Sequence, residues 1–414
     1  MNTDTVMRAE PELEPHHAEV IRATLPLVSA NIDRIAELFY KTMFAAHPEL
    51  LTDLFNRGNQ AQGAQQRAQA AAVATFATHL VDPELPHPAI MMSRIAHKHA
   101  SLGVTPAQYQ IVHDNLFAAI IEVLGGDVVE PPIAAAWDRV YWLMAEALIT
   151  EEKELYDAAN VASGDVFRDA RVLARTEDPA GAAIFTVESA DPTVKFPGFI
   201  PGQYISVGVR LPDGARQLRQ YSMIGLPGDG TLSFAVKRID AAEGCPAGEV
   251  SNWLHQNLRP GDTVQITLPF GDVAIDPTAT TPLMLISGGI GVTPTIGMLE
   301  YLAAHAPGRE VLIVHADRGT QTHPLLDRMH ELAARLERAT VEIWYEEPAL
   351  GARSGRVDLS ELTLPADADA YVCGPPAFMH AVQSQLRDAG VPDDRVHIEL
   401  FTPTDVRVDE GMAR

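Results

Sequence analysis

Apolar residues recur every three to four positions up to about residue 160, then in short alternating runs, then in buried blocks separated by amphipathic stretches. Within Val28 to Phe44, Ile32, Ile35, Ala36, Phe39 and Met43 fall on one stripe, which predicts an amphipathic helix closed by His47-Pro48. Gln65 to Leu80 repeats the pattern through Gln69, Val73, Phe76 and Leu80. Pro131-Pro132 opens a last long helix through Trp137, Leu148 and Tyr156. No strand pattern interrupts Leu13 to Ala159, so this block reads as all-α.

The period then changes. Ser163-Gly164-Asp165 reads as a linker, and the strands Ile184–Val187, Gln203–Val209, Leu232–Arg238 and Thr263–Leu268 alternate with Gly and Pro turns. Short strands of this kind predict a small antiparallel barrel over about Phe167 to Asp276. From Thr281 to Pro403 the pattern becomes strand and helix in turn: Pro282–Ser287, Glu310–His315, Val341–Tyr345 and Ala370–Val372 are strand-like, which predicts a doubly wound parallel sheet. The expected division is 1–160, 161–276 and 277–414.

Composition adds exclusions. The chain of 414 residues is 46% hydrophobic and 21% charged, with a formal net charge of −24. That acidity argues against a nucleic-acid partner and against attachment to an anionic membrane. Cys245 and Cys373 lie in different blocks, so neither a disulfide framework nor a cysteine metal cluster is expected. No signal pattern opens the sequence and no apolar run reaches membrane length, so a cytoplasmic protein is expected.

Two histidines lie close together in the helical block. His97 and His99 point about 200° apart on a helix. His99 shares its face with Met92, Ile95 and Ala96, whereas His97 sides with Ser93 and Arg94. An inward histidine is either a satisfied core residue or a ligand, and the residues alone leave both open. In the last block, Ser287-Gly288-Gly289-Ile290-Gly291-Val292-Thr293-Pro294 follows a strand and opens a helix, with Thr293 the expected N-cap. Such a loop lets backbone amides reach a pyrophosphate.

Together, Phe39-Tyr40, Leu54-Phe55-Asn56, Ile95-Ala96-His97-Lys98-His99 and Gln108-Tyr109 have the order and spacing of the globin part of flavohemoglobins. The resemblance implies His99 as proximal ligand of a heme b iron and Phe55 packed on the heme. It implies Tyr40 as distal donor to bound oxygen, with Gln65 the second distal polar residue. Tyr109 and Glu152 would form a relay behind His99, although Glu152 by itself reads as a solvated member of Glu151-Glu152-Lys153-Glu154. Gln69 stands where the family usually has leucine, which implies a wetter distal pocket.

Pro201-Gly202-Gln203-Tyr204, Arg219-Gln220-Tyr221-Ser222 and Gly248-Glu249-Val250-Ser251 resemble a ferredoxin-reductase-type FAD domain. This implies Arg219 on the flavin pyrophosphate, Tyr204, Tyr221 and Ser222 at the isoalloxazine with Gln220 between, and the amides from Gly248 through Val250 to Ser251 on phosphate. The Gly-Gly-x-Gly-x-Thr-Pro loop and Cys373-Gly374-Pro375 would hold NADH or NADPH. Glu399, Phe401, Thr402 and Pro403 match the closing segment, with Phe401 covering the flavin and Thr402 standing where glycine is usual. Lys98 and Glu399 match positions that adjust the potentials of heme and flavin.

The resemblance spans about Ala18 to Pro403 and implies a nitric oxide dioxygenase acting on O2 and NO as a monomer or weak homodimer. An oxygen or redox sensor and a flavin reductase serving another acceptor stay open. Asp317 and Arg318 are adjacent after the second strand of the last block, and a carboxylate there favours NADH while an arginine favours NADPH.

Overall fold

In the computed structural model, residues 13–53, 64–82, 84–85, 88, 92–241 and 246–401 are described, with side-chain surroundings omitted at 51–53 and 64–71. The chain divides into a helical unit that runs up to Ser163 without residues 51–61 and 100–103, and a second unit that takes those two stretches together with everything from Gly164.

The helical unit contains α1 (Pro15–Ala30), α2 (Ile32–Ala46), α3 (Pro48–Asp53), α4 (Ala64–Val81), α5 (Met92–Leu102), α6 (Pro106–Leu124) and α7 (Pro131–Ala158). The predicted Val28–Phe44 helix is corrected at its start. Val28 belongs to α1, which ends at Ala30, and Asn31 separates it from α2. The stripe itself is as expected, with Ile35, Phe39 and Met43 fully buried one turn apart. Trp137 donates its indole N–H to the Thr24 hydroxyl at 3.0 Å, tying α7 to α1.

The second unit begins with β1 (Phe167–Glu177), β2 (Ala182–Ser189), β3 (Tyr204–Arg210), β4 (Arg216–Ser222), β5 (Thr231–Lys237), α8 (Glu249–Asn257) and β6 (Thr263–Thr267). The strands run antiparallel in the order β4-β3-β6-β1-β2-β5. A bridge from Met223 to Phe234, with the Ile224 N–H on the Ser233 carbonyl at 2.8 Å, joins the two ends into a barrel. Alternate residues fill it: Phe185 and Val187, Ile205 and Val207, Phe234 and Val236 are all buried.

There follow β7 (Leu283–Gly288), α9 (Val292–His305), β8 (Val311–Asp317), α10 (Leu326–Ala333), β9 (Ala339–Tyr345), β10 (Arg353–Ser354), β11 (Asp369–Cys373), α11 (Pro376–Asp388) and β12 (Val396–Glu399). The sheet is parallel in the order β10-β9-β8-β7-β11-β12. Both faces are covered, as the unbroken apolar strands require. Leu283 and Leu285 pack with α9 and α10, while Met284 and Ile286 pack with α11. The first of these cores also takes in Ile224, Val273 and Ile275, so barrel and sheet share buried surface. The strand order reverses between β7 and β11, the crevice where ligands bind in open α/β sheets.

Candidate functional site

Three groups of residues carry chemistry. The first is built on α5, α6 and α7. Thr105 precedes α6, its N–H bonded to the Gln108 side chain at 2.8 Å, which starts the helix so that Tyr109 comes one turn in. Tyr141 and Tyr156 on α7 are fully buried and donate their hydroxyls to the carbonyls of Tyr109 (2.6 Å) and Val104 (2.7 Å). These bonds pin the start of α6 to α7. Glu152 lies between them on the same stripe, one turn after Leu148 and one before Tyr156, and is 2% exposed. It is therefore no solvated member of the acidic run.

The carboxylate of Glu152 accepts from the Tyr109 hydroxyl and from His99 Nδ1, the latter at 2.8 Å, while Nδ1 and the Tyr109 oxygen are 3.0 Å apart. An ionised carboxylate can only accept, so Nδ1 carries the proton. The neutral ring then has its lone pair on Nε2, to which nothing bonds among the described residues. The side chain of His99 is 29% exposed, beside buried Met92 and Ala96. This is the arrangement of a ligand imidazole: one nitrogen anchored, the other basic and accessible. Burial, followed by the charge of Glu152, holds the Tyr109 hydroxyl well above the ordinary tyrosine range, so it remains a donor.

Tyr40 on α2 is 1% exposed, its ring edge-on to Phe39 at 4.7 Å, and burial likewise keeps it protonated. Lys98 is half-buried on α5. Gln65 and Gln69 lie on α4, but their side chains, like the whole of Phe55, fall outside the described residues.

The second group is on the barrel. Register sets Tyr204 opposite Ser222, Ile205 opposite Tyr221 and Val207 opposite Arg219. Tyr204 and Ser222 are buried, and the Tyr221 ring stacks on Phe234 at 5.6 Å. Gln220 donates to the buried Ser206 hydroxyl at 2.9 Å, and Arg219 reaches the Leu218 carbonyl at 2.7 Å. Gly248 is the N-cap of α8, which packs on β3, β4 and β5; Val250 and Ser251 are buried in its first turn. The first-turn amides of a helix have no partners within it and make a cradle for an anion.

The third group joins the carboxyl ends of β7 and β11. A Cβ on Gly291 would lie 2.4 Å from the Cys373 carbonyl oxygen and 2.8 Å from the Gly374 nitrogen, and one on Gly374 would lie 3.1 Å from the Gly288 nitrogen. The two loops thus interlock backbone to backbone, which only glycine allows. Gly289 has φ 56 and with Ile290 and Gly291 forms a short turn into α9. The expected N-cap is corrected: Gly291 holds that place, and Thr293 lies inside the first turn with Val292 and Pro294, its hydroxyl returned to the Ile290 carbonyl at 3.1 Å. The side chain is too far along to cap. Cys373 is buried opposite Ser287 and also pairs in register with Glu399, so Pro375, Glu399 and the exposed Phe401 lie at the same end of the sheet. Thr402 and Pro403 fall outside the described residues.

Sequence reasoning missed Tyr141 and the anchoring role of Tyr156, although a stripe at i, i+3 and i+4 spacing from Tyr141 through Ala145, Leu148 and Glu152 to Tyr156 is present in the sequence. Among the described residues no helix is long and apolar enough to cross a membrane.

Comparison with known proteins agrees with this three-part geometry. Residues 37–148 match the globin family and residues 285–384 the oxidoreductase NAD-binding domain family. The flavohemoprotein of Bordetella parapertussis is 39% identical over 404 residues, 94% of this chain and 98% of that protein. The flavohemoprotein of Bacillus subtilis is 34% identical, over 93% and 96%. The crystal structure of a flavohemoglobin from Malassezia yamatoensis with bound FAD and heme superposes with a TM-score of 0.86 at 37% identity, covering 95% of this chain and all of that one (100%). The FAD/NAD binding domain of nitric oxide dioxygenase from Vibrio cholerae gives 0.53 at 32% identity, over 56% of this chain and 98% of that one. A globin-like unit with an anchored histidine, an antiparallel barrel and an oxidoreductase NAD-binding layer thus occur here in one chain, and that chain belongs to the flavohemoprotein family.

Proposed function

We propose that this chain is an NAD(P)H-dependent nitric oxide dioxygenase. Bound to this chain, nicotinamide, FAD and heme would supply hydride transfer, division of the electron pair and single-electron chemistry that converts O2 and NO to nitrate. What carries the reading is the His99–Glu152–Tyr109 relay, which leaves Nε2 as an electron-rich donor. A carboxylate partner behind a ligating imidazole favours activation of O2 over storage. Tyr40, kept protonated by burial, donates a hydrogen bond on the distal side, and Gln65 assists it. Phe55, which lies outside the described residues, is the position that the family resemblance assigns to the heme face. Gln69 adds a second amide that makes the distal pocket wetter, and Gln69→Leu is expected to change ligand on- and off-rates.

On the barrel, Arg219 neutralises the flavin pyrophosphate with the α8 amides, and Tyr204, Tyr221 and Ser222 fix the isoalloxazine. The interlocked glycine loops, from Gly288 through Pro294 and from Cys373 to Pro375, hold the nucleotide; Phe401 covers the flavin, in the segment that the resemblance extends through Thr402 and Pro403. Lys98 and Glu399 tune potentials. The reading keeps the division 1–160, 161–276 and 277–414, in a cytoplasmic monomer or weak homodimer that binds no nucleic acid.

The test is NO consumption by the purified protein with nucleotide under air, with nitrate assayed as product. A Soret band that shifts with ligand, together with nitrate formation, supports the reading. A flavin-only spectrum overturns it in favour of a plain flavin reductase, and a heme spectrum without NO turnover points to a sensor.

A further inference from the structure

The class of nucleotide is open in the sequence, because Asp317 and Arg318 stand side by side, and the surroundings of the two side chains separate them. Asp317 turns inward. Its side chain is 6% exposed, Oδ1 accepts from the Thr322 hydroxyl at 2.5 Å and from the Arg318 amide at 2.7 Å, and Oδ2 faces His315 Nε2 at 3.8 Å. A carboxylate committed to its own turn cannot reach out to a ribose diol, which is how such a residue selects NADH.

Arg318 turns outward. It is exposed, and its guanidinium has no ion pair or hydrogen bond among the described residues. It lines a cleft of about 320 Å³ with Thr322, Lys237, Arg238 and Asp240. The remaining walls come from the β1–β2 turn and α8, and the turn is fixed to the α/β layer by the Leu325 N–H on Asp178 Oδ2 at 3.0 Å. The anions at this cleft are engaged: Asp240 with Arg238 at 3.0 Å, and Glu177 with Arg175. Lys237, like Arg318, has no ion pair or hydrogen bond of its side chain among the described residues. Two cations without a charged partner among the described residues therefore face one cleft at the carboxyl end of the second strand of the nucleotide layer, in a chain whose formal net charge is −24.

We propose that this cleft takes the 2′-phosphate of NADPH, with Arg318 and Lys237 as the residues that select NADPH over NADH. A phosphomonoester dianion matches two unpaired cations in charge, and the planar fork of Arg318 suits two of its oxygens. NADH offers only a hydroxyl here. The proposal rests on the reductase part of the reading above, not on NO chemistry.

The experiment is stopped-flow reduction of the flavin in the holoprotein by each nucleotide, with calorimetric binding of 2′-AMP and 5′-AMP alongside. NADPH should exceed NADH in kcat/KM by at least about tenfold, since one charged hydrogen bond gives about that factor. Arg318→Ala should lower the ratio about tenfold, Lys237→Ala should lower it further in combination, and Arg318→Glu should invert it. The 2′-AMP isomer should bind more tightly than 5′-AMP, and this advantage should vanish in the double variant. Preference for NADH, equal binding of the two isomers, or an unchanged ratio in the variants overturns the proposal. Preference for NADPH without NO consumption supports it while overturning the dioxygenase reading alone.

Discussion

Replacing Glu152 by glutamine tests the chemistry behind His99 with little change of shape. The carboxylate is 2% exposed and accepts the His99 Nδ1 proton at 2.8 Å. A hydrogen bond to an ionised partner contributes about 1.5–3 kcal/mol against about 1 kcal/mol for a neutral one, so the amide forfeits about 0.5–2 kcal/mol. With His99 as the iron ligand, that loss falls mainly on the ferric state, because the anion pushes electron density toward Nε2 and the more positive iron gains more from it. At about 1.4 kcal/mol and 59 mV per factor of ten for one electron, the midpoint should rise by roughly 20–90 mV. Spectroelectrochemical titration of the purified holoprotein reads this directly. NO turnover should fall by about 10–100-fold, the usual cost of losing such a partner. Tyr109→Phe, which removes a donor from the Glu152 carboxylate and keeps the His99–Glu152 bond, should shift the midpoint the opposite way, downward, and by less. A midpoint that stays put or moves down in Glu152→Gln, with heme retained, refutes the relay.

Two further outcomes follow from the second unit. Gly291→Ala sets a methyl 2.4 Å from the Cys373 carbonyl, backbone against backbone, so the interlocked loops must part; nucleotide KM should rise at least about tenfold while flavin and heme content stay normal, and an unchanged KM would show that the loops do not hold the nucleotide. His315 and His323 stack at 3.7 Å, and both are held neutral by burial first, with His323 pushed down to about 2 and further disfavoured by His315. The unfolded chain takes up these protons near pH 6.5 and the folded chain does not, so stability is complete above about 6.5 and lost as pH falls below it, by about 1.4 kcal/mol per pH unit per histidine. Denaturant titrations across that window should show the slope, and His323→Phe should roughly halve it; a flat profile contradicts buried neutral imidazoles.

The parts that were legible in the sequence are those whose packing is one-sided. α2 shows its stripe, while of the one foreseen along α4 only Phe76 is buried among the described side chains, beside Ala77 and Val81; β7 reads as an unbroken apolar block because helices cover both faces of the sheet. Strand β1 escaped because only Ala170 and Val172 of its eleven residues are buried, and a bulge between Val172 and Ala174 breaks the alternation and exposes Leu173. Its place between β2 and β6 comes from backbone pairing, which leaves no mark on side-chain pattern. Strands β10 and β12 are too short to show a period.

The same distinction applies within the candidate site. Helical phase alone separates His99 from His97, because α5 has one apolar face. Glu152 was not legible from its neighbours Glu151, Lys153 and Glu154, since local composition says solvent and only the stripe at four-residue spacing says core. A buried carboxylate is costly unless donors meet it, and here Tyr109 and His99 both do. Those donors come from 43 and 53 residues away along the chain. Asp317 and Arg318 show the same in reverse: adjacent in sequence and opposite in charge, they are sorted by the Thr322 hydroxyl, which holds Asp317 inward and leaves Arg318 to the cleft. Glu152 takes its role from partners on other helices and Asp317 from a hydroxyl five residues along its own turn, so in both places the residue type is visible in the chain while its direction is decided by the fold.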